Sequence, residues 1–293
     1  MSGGGIFLRK KKVIGRYMKI IRSVREMQDF DSQGSRGFVP TMGALHDGHL
    51  SLVRQAKEQN DCLITSVFVN PLQFLPGEDF AEYPRDEERD IELLRNLGVD
   101  VLFIPDFHQV YDKNMSIGFS FPDLVNCLCG KMRPGHFEGV ALIVAKLFNL
   151  VRPHNTYFGQ KDYQQAIIVK RLIEDLNFPV KLHISPTVRE QNGLAMSSRN
   201  VYLKADERAM ADNLYKILLT VKHLIEEGEN SVEILKQRVE VLLTAHGFDV
   251  NYFDIRGADD LCAVQNLTGG TYLVALSVKL GSVHLIDNIL VDV

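Results

Sequence analysis

Short apolar runs alternate with amphipathic segments through the first two thirds of the chain. A strand-like run closes at Phe38 and Val39, and residues 49–59 follow at helical spacing with Leu50, Leu52, Val53 and Ala56 on one face. Residues 62–69, CLITSVFV, are β-branched and almost wholly apolar, the pattern of a parallel strand covered on both faces. Residues 86–97 form a charged amphipathic helix, and 101–104 a buried strand stopped by Pro105. A strongly apolar helix over 137–150 precedes a strand at 155–158, a helix at 164–175 and a strand at 181–184. Strands alternating with helices predict right-handed βαβ crossovers and an α/β fold with a Rossmann-like, doubly wound parallel sheet.

After Arg189 the pattern changes. Two helical stretches, 205–226 and 231–246, precede three strand-like runs at 250–255, 271–278 and 283–290, with turns at Gly269, Gly270 and Gly281. Consecutive strands without intervening helices predict a smaller α+β unit with an antiparallel sheet. The expected division is 18–187 for the Rossmann-like domain and 188–293 for a C-terminal lid. Residues 1–17 carry Arg9, Lys10, Lys11, Lys12 and Arg16 with no acid, and no apolar core of a signal peptide. Met18 reads as a natural start, so this basic leader is expected to lie outside the fold.

Hydrophobic residues make up 45 % and charged residues 24 % of the 293, an ordinary globular balance. A net charge of -4 supplies no global field for nucleic acid or an anionic membrane, so neither is an expected partner. Anionic ligands must instead meet local clusters of Lys, Arg, His and backbone N–H groups. Cys62, Cys127, Cys129 and Cys262 form no C-x-x-C pair, which points to reduced thiols and a cytoplasmic protein. No run approaches the ~18 apolar residues of a membrane span.

The segment PTMGALHDGH (40–49) lies where a strand ends and a helix begins, at the sheet edge where open α/β folds bind ligands. Gly43 and Gly48 allow close backbone approach, the helix start offers free N–H donors, and His46 and His49 point at one anion. A His there is held toward neutrality yet still donates one N–H. Such a pair suits charge building on a nucleotide's α-phosphate and departing pyrophosphate. A lone His would read as a cap, and H-x-x-H could chelate a metal, but no further ligand motif supports chelation.

Four more segments share this arrangement. FVNPLQF (68–74) breaks the next strand at Asn70 and presents Gln73 at the same edge. YPRD (83–86) leads into a helix whose first turn holds Asp86 and Asp90; capping explains such acids, and either could hold Mg²⁺ through water beside phosphates. KMRPGHFEG (131–139) is a basic loop with His136 entering an apolar helix. In FGQKDYQQ (158–165), Gly159 admits a nucleotide against the backbone, Lys161 reaches phosphate, and Asp162 caps the helix while binding a ribose hydroxyl. Gln73 and Gln165 together give a polar cleft without fixed charge, suited to a hydroxy acid whose carboxylate must stay nucleophilic.

The last segments, TVRE (187–190) and GLAMSSRN (193–200), put Ser197, Ser198 and Arg199 on a Gly-containing loop, a phosphate clamp able to close and exclude water. Read singly, each segment is as well explained by a turn. No G-x-x-x-x-G-K-[ST], G-x-G-x-x-G or G-x-S-x-G motif occurs.

Taken in order, these segments resemble the pantoate–β-alanine ligase family of the H-x-G-H nucleotidyltransferase superfamily, and LIDNILV (285–291) resembles its closing strand. The resemblance implies an ATP-dependent ligase that joins pantoate to β-alanine through pantoyl adenylate, releasing AMP and pyrophosphate. It implies Mg²⁺ travelling with ATP, and a homodimer. It implies ATP contacts at Met42, Gly43, Ala44, Leu45, His46, Asp47, Gly48, His49, Gly159, Gln160, Lys161, Asp162, Val188, Met196, Ser197, Ser198 and Arg199. Pantoate would meet Pro40, Met42, Asn70, Gln73, His136 and Gln165, and β-alanine would meet Gln73. His49 is the implied phosphate-stabilising general acid, with His46 beside it. Gly135 and Gln160 stand where the family more often has Thr and Glu. Rival readings are a transferase that leaves the nucleotide on its product, and a non-catalytic nucleotide sensor; AMP with pyrophosphate as products separates them.

Overall fold

The computed structural model describes residues 17–112 and 114–293, so the leader expectation for 1–17 falls almost wholly outside the described residues. The first sheet holds β1 (Lys19–Ile21), β2 (Arg36–Thr41), β3 (Cys62–Val67), β4 (Val101–Phe103), β5 (Asn155–Gly159) and β6 (Lys181–Ser185), all parallel, in the order β1-β4-β3-β2-β5-β6. Its helices are α1 (Val24–Asp29), α2 (Asp47–Gln59), α3 (Glu87–Asn96), the short α4 (Phe107–Val110), α5 (Pro122–Val125) and α6 (Leu128–Met132), then α7 (His136–Val151) and α8 (Tyr163–Asp175).

Period 2 explains why the strands read as unbroken apolar runs. Phe38, Ile64 and Phe103 pack with α7 and α8, whereas their neighbours Val39, Leu63 and Leu102 pack with α2 and α3. Each such side chain contributes about 2 kcal/mol by leaving water. The strand order turns back at β2, which has β3 on one side and β5 on the other. That switch point sets the loops after β2 and β5 at one crevice.

The C-terminal part holds α9 (Ala205–Ala211), α10 (Asn213–Glu226), α11 (Val232–Ala245) and an antiparallel sheet of β7 (Asp249–Gly257), β8 (Thr271–Leu280) and β9 (Val283–Asp292). Along β8, Val274, Leu276 and Val278 join a core with α10 and α11. Leu273 and Ala275 join the core of α7 and α8 instead. The small sheet is thus buried on both faces, which anchors it against the first.

The structure corrects one reading and adds elements at two places. The helix expected over 205–226 is two helices; at the break, Asn213 Nδ2 donates to the Met210 carbonyl at 3.2 Å. Strand β1, only three residues long beside charged positions, carries no periodic signal. The short helices α4 to α6 occupy the stretch between β4 and α7, where no element was expected.

Candidate functional site

The loop after β2 is built to expose two imidazoles. Gly43 and Ala44 adopt left-handed backbone (φ 81 and 49), and a Cβ on Gly43 would lie 2.9 Å from Asp90 Oδ2. Asp90 accepts the N–H groups of Ala44 and Leu45 at 2.9 and 2.8 Å, pinning that turn. His46 then caps α2, its Nδ1 accepting Gly48 N–H at 3.2 Å, while His49 Nδ1 accepts His46 N–H at 3.5 Å. Gly48 is needed because the His46 ring folds over it: a Cβ there would meet that ring at 2.8 Å. The glycine of H-x-G-H therefore makes room for a histidine, not only for a ligand.

Both Nδ1 atoms accept, so the neutral rings carry their proton on Nε2. Burial, and secondarily the charge of Lys161, lowers the His46 pKa to about 4. Burial, and secondarily His46, lowers that of His49 to about 3. The rings, 4.0 Å apart, line the cleft as two neutral donors.

The loop after β3 orients Gln73. Asn70 is 1 % exposed and fully engaged: its Oδ1 accepts Tyr111 Oη at 2.9 Å and Leu72 N–H, while its Nδ2 donates to Gly139 O at 3.0 Å and Gln73 Oε1 at 3.2 Å. Gln73 is left with Nε2 as a donor, 2.9 Å from Met42 Sδ. His136 is spent in the same way. Arg133 Nη1 can only donate, so His136 Nε2 accepts it at 3.1 Å and Nδ1 donates to Gln73 O at 2.6 Å. Asn70 and His136, expected as pantoate contacts, line the cleft and also hold Gln73; Tyr111 and Arg133 belong to that support, and no local sequence signal marks Tyr111.

After β5, Gly159 has no neighbour within 4 Å of a Cβ position. Asp162 makes no capping bond to α8, contrary to expectation; its Oδ1 pairs with Lys161 Nζ at 3.5 Å. Burial opposes the Asp162 charge, but Lys161 outweighs it and keeps the carboxyl below its usual pKa. Gln160 turns away, its amide 3.3 Å from Asn288 of β9, and Asn288 Nδ2 clasps the Gln160 and Lys161 carbonyls at 3.0 and 2.9 Å. Gln164 is buried on the Leu124 and Cys127 carbonyls, so Gln165 is the one of the pair that lines the cleft.

The final wall is the 187–199 loop. Met196 N–H bonds Val188 O at 3.0 Å, and Arg189 fixes the loop to β9 through Asp287 at 2.6 and 2.9 Å. Thr187, missed in the sequence, lines the cleft with a buried hydroxyl that has no hydrogen-bond partner among the described residues. The cleft, about 240 Å³, joins a hollow of about 830 Å³; Arg133, Lys161, Asp162, Ser197 and Arg199 line both.

Most expected residues meet here: Pro40, Met42, His46, Gly48, His49, Asn70, Gln73, His136, Gly159, Lys161, Asp162, Gln165, Val188 and Met196 to Arg199. Gly43, Ala44, Leu45, Asp47 and Gln160 do not line it. The cleft is not free of fixed charge, but its Arg133, Lys161 and Arg199 each have a carboxylate partner. Neither acid of the Mg²⁺ expectation lines the cleft or the hollow. Asp90 is 1 % exposed with both oxygens on backbone N–H groups, and Asp86 caps α3 at Arg89 N. Among the described residues no group of three or more His, Cys, Asp or Glu could hold a metal.

The family model described as pantoate-beta-alanine ligase matches residues 16–290. A pantothenate synthetase of Thermodesulfovibrio yellowstonii is 46 % identical over 284 residues, covering 94 % of this chain and 100 % of the relative. Among solved structures, the pantothenate synthetase of Thermus thermophilus is 42 % identical with a TM-score of 0.88, covering 93 % of this chain and 99 % of that one. The pantoate-beta-alanine ligase of Francisella tularensis, complexed with beta-gamma ATP and beta-alanine, is 34 % identical with a TM-score of 0.77, covering 94 % and 98 %.

Proposed function

This chain belongs to the pantoate-beta-alanine ligase family, ATP-dependent ligases forming a C–N bond, and we propose that its cleft divides the reaction between the two sheet-edge loops described above. Pantoate lies between Gln73 and Gln165, its carboxylate receiving the Gln73 Nε2 donor. The carboxylate attacks the α-phosphate of ATP in line; the bond to pyrophosphate breaks and pantoyl adenylate forms. The β-alanine amine then attacks the acyl carbon, loses a proton and expels AMP, giving pantothenate.

The observation that carries this reading is the His46/His49 pair, whose bonded Nδ1 atoms leave two neutral Nε2–H donors beside Lys161 and Asp162. These donors stabilise charge arising on the phosphates without a net positive charge that would bind the carboxylate in its ground state. Lys161 and Arg199 meet the outer phosphates, Ser197 and Ser198 contribute hydroxyls, and the 188–293 part serves as the lid that keeps water from the adenylate. Thr187 and Val188 lie where a base or ribose could seat. Among the described residues no group of three or more His, Cys, Asp or Glu could hold a metal, so we assign Mg²⁺ to the substrate Mg·ATP.

We assign the protein to the cytoplasm from its free cysteines; no helix of the described residues is long and apolar enough to cross a membrane. A homodimer is the expected assembly, from family resemblance alone. The reading is tested by incubating ATP and pantoate with and without β-alanine and following pyrophosphate, AMP and pantothenate. Pyrophosphate with no AMP-linked product, or pantothenate formed without AMP, would overturn it.

A further inference from the structure

Two consecutive acids on the 77–82 wall of the larger hollow treat two arginines alike. Glu78 holds Arg133 side-on, Oε1 taking Nε at 2.7 Å and Oε2 taking Nη2 at 2.5 Å. Asp79 holds Arg199 side-on, Oδ2 taking Nε and Oδ1 taking Nη2, both at 3.0 Å. The arginines come from segments 66 residues apart in sequence (199 less 133), yet both line the cleft.

A side-on carboxylate uses one edge of the guanidinium and leaves Nη1 to point elsewhere. Arg133 reaches the Gln73 carbonyl twice, directly from Nη2 at 3.3 Å and from Nη1 through His136 Nε2 and Nδ1. For Arg199 the Nη1 edge makes no hydrogen bond among the described residues, at the mouth shared by the cleft and the larger hollow. The Arg199 pair is also about one-third exposed on both sides, accessible to an incoming ligand but not freely solvated.

We infer that Glu78 and Asp79 are positioning residues that divide the two substrates between them: Asp79 aims Arg199 at the ATP phosphates, and Glu78 aims Arg133, through His136, at the Gln73 loop that receives the hydroxy acid. Neither acid touches substrate. Each fixes a long, entropically costly side chain before the ligand arrives, so the ligand does not have to order it. Adjacency of the two acids couples both arms to one surface segment. The inference rests on the reading that Arg199 meets ATP.

The experiment is steady-state kinetics of Asp79→Asn, Asp79→Glu and Glu78→Gln with ATP and pantoate varied separately, after thermal melts establish that each variant is folded. Asp79→Asn is expected to raise KM for ATP about five- to twentyfold and leave KM for pantoate within about twofold; Glu78→Gln should do the reverse. Asp79→Glu, which keeps a side-on acceptor, should recover part of the loss. In an Arg199→Lys background the fork is gone, and Asp79→Asn should add nothing further. Both KM values moving together in either variant would mean a general loosening of the wall, and would overturn the division. So would an undiminished Asp79→Asn effect on top of Arg199→Lys. If Arg199→Lys alone leaves KM for ATP unchanged, the ATP contact of Arg199 is what fails.

Discussion

The carboxylate of Asp90 accepts the backbone N–H of Leu45 at 2.8 Å, and its second oxygen accepts that of Ala44 at 2.9 Å. A buried side chain of α3 thereby fixes the turn that launches the histidine pair. Burial, working against these hydrogen bonds, leaves the Asp90 carboxyl above its usual pKa. Asp90→Asn would set an amide N–H against a backbone N–H, a clash of donors costing about 1–3 kcal/mol. The expected result is a lower melting temperature and a severalfold higher KM for ATP, identical at limiting and at excess Mg²⁺. Recovery of the wild-type KM by excess Mg²⁺ would restore Asp90 as a cation ligand.

The histidine pair makes a spectroscopic prediction. With both Nδ1 atoms accepting backbone N–H groups and pKa values near 4 and 3, His46 and His49 should remain Nε2–H tautomers from pH 8 to pH 5.5. The ¹⁵N shifts of the two rings report this directly, and an imidazolium pattern at pH 6 would refute it. His49→Ala should slow adenylate formation a few hundredfold, the roughly 3 kcal/mol attached to one charge-stabilising donor. Pyrophosphate release at a near-wild-type rate would remove His49 from the chemistry.

How far the sequence was legible depended on whether a signal was local. The β2 and β5 loops were readable because strand, Gly and helix follow one another within a few residues, and the apolar strands fixed which sheet edge those loops share. Asn70 and His136 were assigned to substrate by resemblance, and the chain alone gives no sign of what else holds them. Tyr111, which donates to Asn70, and the Gln73 carbonyl, which accepts from His136, lie 41 and 63 positions from them and are visible only once folded. Asp90 failed for the same reason: an acid in a first helical turn has the same appearance whether it faces solvent, a metal or the backbone of another loop. Gln160 sits in a motif, yet β9 draws its amide away.

Gly139 shows how tightly that support is packed. A Cβ at this position of α7 would lie 2.2 Å from Leu72 O and 2.9 Å from Gln73 N, both backbone atoms that cannot rotate aside. Gly139→Ala removes the conformational cost of glycine in a helix, worth about 1 kcal/mol, but must push α7 off the 70–73 turn. The clash is the larger effect. The variant should melt lower than wild type and show a KM for pantoate raised at least tenfold, with the ATP-binding isotherm little changed. A variant more stable than wild type would mean that the helix and turn can separate without cost.

Tyr111 tests the support from its other end. Its hydroxyl, buried and with its pKa pushed up by desolvation, donates to Asn70 Oδ1 at 2.9 Å. Tyr111→Phe leaves that oxygen with only the Leu72 N–H, a loss of about 1 kcal/mol. Stability by urea titration should fall by that amount, and KM for pantoate should rise severalfold while kcat/KM for ATP holds. Equal effects on both substrates would place Tyr111 in general packing.

His136 should make the protein acid-sensitive in a defined window. Burial, then the charge of Arg133, lowers its pKa from 6.5 to about 4, and the ring is 8 % exposed. Because the unfolded chain binds the proton more readily than the folded one, the contribution of the neutral ring is complete above about pH 6.5. It is lost progressively as pH falls from there to about 4, with no further loss below. A shift of that size corresponds to about 3 kcal/mol. Protonation would also turn Nε2 into a donor facing Arg133 Nη1, so the Gln73 loop should loosen over the same range. Urea midpoints of wild type and His136→Asn, measured at pH 7.5, 5.5 and 4.5, isolate this group from the other histidines. The wild-type advantage should shrink stepwise toward pH 4.5; a constant gap at all three pH values would show that His136 titrates normally in the folded protein.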